Sequence, residues 1–61
     1  MKNIIVIIEY ATISPLTLEN IFCNLMGWCS WHEINEDTFE FSIECRQEDA
    51  AWIEKKLAQY V

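Results

Sequence analysis

The chemistry-bearing residues gather in the middle of the chain. Cys29-Ser30-Trp31-His32-Glu33 sets a thiol, a hydroxyl, an imidazole and a carboxylate along one short stretch. Cys29 and His32 have the C-x2-H spacing that occurs in zinc sites. On a strand, however, residues three apart point to opposite faces, so these two cannot share an ion. Cys23 is expected on the flank of a helix and Cys45 in the core, each acting as a small hydrophobe. No metal site is expected. His32 beside Glu33 has the residue types of an acid–base pair, but adjacent strand positions diverge, and His32 reads as a packed or edge histidine. Glu33 and Glu40, expected nearly opposite each other, have the two-carboxylate pattern of glycosidases. A flat three-stranded sheet offers no pocket of the ~300 Å³ at which small-molecule sites begin. Gly27 is the single glycine, which leaves no loop to cradle a phosphate. The chain is therefore read as non-catalytic and without a cofactor. Cys29 is a modest candidate for a reactive thiol, although no flanking cation is there to activate it.

The elements that position these residues follow from periodicity. Asn3 to Glu9 is rich in β-branched residues and reads as a buried strand. Ser14-Pro15 starts a helix, with Ser as N-cap and Pro in the first turn, where a missing N–H costs nothing. Leu18, Ile21, Phe22, Leu25 and Met26 make its apolar stripe, and Gly27 suits a left-handed C-terminal cap. Trp28 to Asn35 and Thr38 to Cys45 form a hairpin turned by Asn35-Glu36-Asp37-Thr38. Phe39, Phe41, Ile43 and Cys45 alternate with polar residues. Pairing Ile34 with Phe39 keeps the isoleucine on the phenylalanine face, and sets His32 opposite Phe41, Ser30 opposite Ile43 and Trp28 opposite Cys45. A second helix runs from Gln47 to about Tyr60. Glu48 and Asp49 lie at its start and Lys55 and Lys56 near its end, matching the helix dipole. Ala50, Ile53, Leu57 and Tyr60 or Val61 face inward. Trp52 either covers the rim of the core or stacks with Lys56.

The resulting order, β-α-β-β-α over residues 1–61, gives a single α+β domain. Its two layers are a three-stranded antiparallel sheet with both helices on one face. This order resembles the ferredoxin-like split-βαβ fold with the final strand missing. The resemblance implies that the second hairpin arm is central, with the first strand beside it and that strand's other edge open. So many functions share the fold that the resemblance implies none of them.

Composition excludes several classes. The 61 residues carry ten acidic against four basic side chains, a formal charge of -6, and 52% are hydrophobic. The cations Lys2, Arg46, Lys55 and Lys56 form no stripe, which argues against direct nucleic-acid binding and against docking on anionic lipid. Glu9 ends the first apolar run far short of the ~20 residues of a membrane span, and no small-residue cleavage site follows. A cytoplasmic protein with reduced cysteines is expected.

Binding is what remains. With the hairpin register above, the face away from the helices carries Cys29, Trp31, Glu33, Glu40, Ser42 and Glu44, joined by Ile5 and Ile7. An apolar patch of Ile5, Ile7 and Trp31 ringed by Glu33, Glu40 and Glu44 is expected to bind a partner. The reading is a small acidic regulator or inhibitor working through protein–protein contacts with a basic surface. The thin core and the open Ile4–Ile8 edge point to a homodimer, paired at that edge or stacked through Trp31. An alternative is a nucleic-acid-mimicking inhibitor of the phage type. Glu33, Glu36, Asp37, Glu40 and Glu44 would then stand in for phosphates before a DNA- or RNA-processing protein. A ligand sensor with its site at a dimer seam ranks last.

Overall fold

The computed structural model describes residues 1–23 and 28–61. Strand β1 (Lys2–Glu9), helix α1 (Pro15–Cys23), strands β2 (Trp28–Glu33) and β3 (Thr38–Cys45) and helix α2 (Ala50–Leu57) follow in order. Short 3-10 turns at Gln47–Asp49 and Ala58–Tyr60 flank α2. The sheet runs β1-β3-β2, antiparallel at both seams, so β3 is central. Among the described residues, three antiparallel strands and two helices make an α+β fold of the ferredoxin-like type.

Each element forms for a local reason. Alternation in β1 sends Ile4 and Ile8 into the core and leaves Ile5 and Ile7 outside. Ser14 caps α1: its Oγ accepts from the Thr17 amide at 3.2 Å, and its carbonyl accepts from Leu18 at 3.1 Å. Leu18 and Phe22 are the buried teeth of that helix. The expected continuation through Leu25 and Met26 to a cap at Gly27 lies outside the described residues. In α2, Ala50, Ile53 and Leu57 are buried as their spacing predicts. Tyr60 packs against the core while Val61 is exposed, which settles the last inward position.

One core joins the two layers. Phe39, Phe41 and Ile43 of the central strand are fully covered, with Ile8, Leu18, Phe22, Ile53 and Leu57 around them. α1 lies over β2 and β3, and α2 over β1. Phe22 meets Phe41 at a ring separation of 6.1 Å, and Tyr10 meets Phe39 at 5.0 Å. Trp52 takes neither expected partner fully. Its indole Nε1–H donates to Asp49 at 3.1 Å, while Lys56 lies 6.0 Å above Phe22 instead.

The hairpin register differs from the expected one by a residue. Trp31 stands opposite Phe41, His32 opposite Glu40, Ser30 opposite Ser42 and Trp28 opposite Glu44. The cause is the turn. Asn35 Oδ1 accepts from the Asp37 amide at 2.8 Å, the Thr38 amide at 2.9 Å and the Thr38 hydroxyl at 3.0 Å. The Ile34 amide donates to the Thr38 carbonyl at 3.1 Å, so Thr38 belongs to the strand and the turn shrinks to Asn35, Glu36 and Asp37. A slip of one residue reverses every side chain of β2.

Candidate functional site: the open face of the sheet

That reversal redraws the outer face. Trp31, expected to anchor the docking patch, lies on the helix side, half-buried with its ring edge-on to Phe39 at 6.1 Å. Cys29 and Glu33 turn inward with it, opposite Ile43 and Phe39. Glu33 accepts a hydrogen bond from the Tyr10 hydroxyl at 3.1 Å and is not paired with Glu40. Partial burial and that same bond hold the Tyr10 phenol above its ordinary pKa. Trp28, expected as a core anchor beside Cys45, is instead 79% exposed. Cys45 does enter the core, where burial, then Asp49 and Glu54, push its thiol pKa up against the opposing pull of Lys2 and the N-terminus.

Three rows make up the open face. Ile7, Glu40 and His32 form one, with His32 Nε2 3.9 Å from the Glu40 carboxylate. Ile5, Ser42 and Ser30 form the next, where the two serine hydroxyls meet at 2.8 Å. Asn3, Glu44 and Trp28 form the third. Beyond the first row lie Glu9 and Thr38. The serine contact and the His32–Glu40 approach confirm that these side chains share one side.

The face is apolar at its flanks and acidic along its centre. Ile5 and Ile7 stand 54% and 49% exposed on one edge strand, with Trp28 on the other. Glu40 and Glu44 lie between them, and Glu9 lies at the end of β1. None of the four cations stands in these rows. Lys2 reaches Glu54 on α2 at 3.8 Å, Arg46 reaches Glu48 at 3.8 Å, and Lys55 and Lys56 belong to α2. Among the described residues, then, the open face carries carboxylates and no lysine or arginine. Of the six expected contact residues, Ile5, Ile7, Glu40 and Glu44 share this face, while Trp31 and Glu33 do not. Sequence reasoning misses Trp28 because a tryptophan directly after Gly27, the expected helix stop, reads as an anchor. The length of the turn was the signal that could have placed it.

Comparison with known proteins returns no match: no family model, no curated protein and no solved structure aligns with the chain. Cys29 and His32 lie on opposite faces, and among the described residues no three His, Cys, Asp or Glu side chains converge as metal ligands. Ser30, His32 and Glu40 bring hydroxyl, imidazole and carboxylate to one surface, yet the Ser30 hydroxyl is engaged with Ser42 and not with His32 among the described residues. What this flat array offers is shape, apolar area and charge.

Proposed function

We propose that the protein is a small non-catalytic binding module, a regulator or inhibitor that docks through the open face of its sheet onto a protein with a basic surface. One observation carries the reading: Ile5, Ile7 and Trp28 are exposed on a single face where, among the described strand residues, the charged neighbours of fixed sign are carboxylates. Large exposed apolar side chains flanking an acidic centre offer both contact area and charge to a partner, and tryptophan is among the residues most enriched at the energetic centres of interaction sites. The carboxylates would steer a cationic partner and speed its approach, an effect that salt weakens. The module is further proposed to act in the cytoplasm as a homodimer joined along β1, whose outer edge has no partner strand among the described residues.

The mimicry alternative gains less from this geometry. Of the carboxylates it needs, Glu33 lies on the helix side and Glu36 and Asp37 lie in the turn, leaving Glu40 and Glu44 on the open face. They form no single row with the spacing of a phosphate backbone.

The test begins with capture from the native host, wild type against Trp28→Ala, and continues by titration with the purified candidate. Trp28→Ala is expected to weaken binding by about 2 kcal/mol or more. Glu40→Lys with Glu44→Lys should weaken it further and flatten its salt dependence. Unchanged affinity in both variants overturns the proposal.

A further inference from the structure

His32 is the chain's single histidine, and the fold sets it on the open face. Its register partner on the central strand is Glu40, and Ile7 of β1 completes the row. The imidazole Nε2 lies 3.9 Å from a Glu40 carboxylate oxygen. The two side chains are unequally placed. That of His32 is 67% exposed, whereas that of Glu40, on the strand between two neighbours, is 33% exposed. A carboxylate with so little open surface has room for few cations at once. An imidazolium drawn onto it takes the place that a cation from outside would need.

We propose that His32 makes docking on this face depend on pH. Neutral, it leaves Glu40 free for a cationic group of the partner; protonated, it occupies Glu40 and weakens the docking. This gate rests on the docking face proposed above and adds its regulation. Imidazole is the side chain whose ordinary titration falls between about pH 5 and 8. Carboxylates are ordinarily ionised over that range, and guanidinium keeps its charge throughout. Acidification therefore changes the charge of the face at His32 and leaves the partner's arginines as they were.

The groups around His32 fix the sign of the effect. Diagonal to it on β3 stand the uncharged Thr38 and Ser42, and on β1 Glu9 lies beyond Thr38. Ser30 lies next to it on the same face of β2, and Glu36 and Asp37 belong to the adjoining turn. Glu33 turns to the other side, where it accepts from Tyr10 and where both helices pack. Each charged group facing His32 among the described residues is thus a carboxylate. Protonation places a cation among them and cancels one of the three negative charges, Glu9, Glu40 and Glu44, that the face offers to a basic partner. Because the pair is exposed, the effect is modest and salt screens it. Two unit charges ~4 Å apart in water interact strongly enough to change an equilibrium constant about fivefold.

The probe is a rhodamine-labelled hexa-arginine peptide, followed by fluorescence anisotropy at low salt, with helix content checked by circular dichroism at each pH. Wild-type protein should bind it about fivefold more weakly at pH 5.5 than at pH 7.5, and added salt should erase the difference. His32→Gln should bind alike at both values. His32→Lys, which carries the cation permanently, should bind weakly at both. Glu40→Lys with Glu44→Lys reads the face itself and should weaken binding at pH 7.5. If that pair weakens binding but wild type shows no pH effect, or His32→Gln shows the same one, the gate is overturned and the docking face stands. Binding that the pair does not weaken, or no binding at pH 7.5, overturns the docking face and the gate with it.

Discussion

Trp28 and Trp31 are identical side chains on one strand, and their odd separation sends them to opposite faces with opposite duties. Trp31 packs edge-on to Phe39 beneath the helix layer, whereas Trp28 stands in solution beside Glu44. Their substitutions should therefore separate stability from binding. Trp31→Ala removes a half-buried ring and is expected to cost about 2–4 kcal/mol of folding stability, part from lost apolar burial and part from the aromatic contact. Trp28→Ala should change stability by less than about 0.5 kcal/mol, as exposed substitutions do. Urea unfolding of both variants reads the difference, with unchanged slope showing that the denatured state is not involved. A larger loss for Trp28 would mean that the two faces of β2 are reversed.

At the scale of elements, the sequence is legible wherever one periodicity has no rival. β3 alternates apolar and polar from end to end, and only one face can be buried. Ser14-Pro15 marks the start of α1, and the buried positions of α2 fall at helical spacing. β2 is different: Trp28-Cys29-Ser30-Trp31-His32-Glu33 has a tryptophan on each face, so its own pattern does not choose between registers. The choice passes to the turn, where propensity marks the residues but not their number. By pattern Ile34 belongs with the phenylalanines, yet it is 47% exposed, and the three bonds to Asn35 Oδ1 close the turn one residue earlier. Those bonds satisfy two backbone amides that a shorter side chain would leave to water. Asn35→Ala is accordingly expected to destabilise the fold by about 1–2 kcal/mol in denaturant unfolding. Asn35→Asp, which keeps the accepting oxygen, should lose less. Equal losses for the two would show that something other than this acceptor sets the hairpin.

Among the described residues the molecule combines a small core with an open sheet face and two edge strands, β1 and β2, and charge decides between the face and the aliphatic β1 edge as the contact for a second copy. Stacking two open faces would bring Glu9, Glu40 and Glu44 of one copy against the same residues of the other, with no lysine or arginine between them. It would also proceed without Trp31, which lies on the helix side. Pairing along β1 avoids both difficulties. Two copies of this three-stranded sheet joined antiparallel at β1 make one continuous sheet. An even register, such as one centred on Val6, keeps both helix layers on the same side and sets Ile5 of each copy against Ile7 of the other. The backbone groups of an aliphatic edge are then satisfied, and the apolar part of the docking face doubles. Sedimentation equilibrium at micromolar concentration should report a dimer. Ile7→Lys, at an exposed position that tolerates charge in the monomer, should report a monomer with unchanged helix content. A wild-type monomer sinks the dimer outright. An Ile7→Lys dimer would place the contact away from β1, leaving the edge to be protected in some other way.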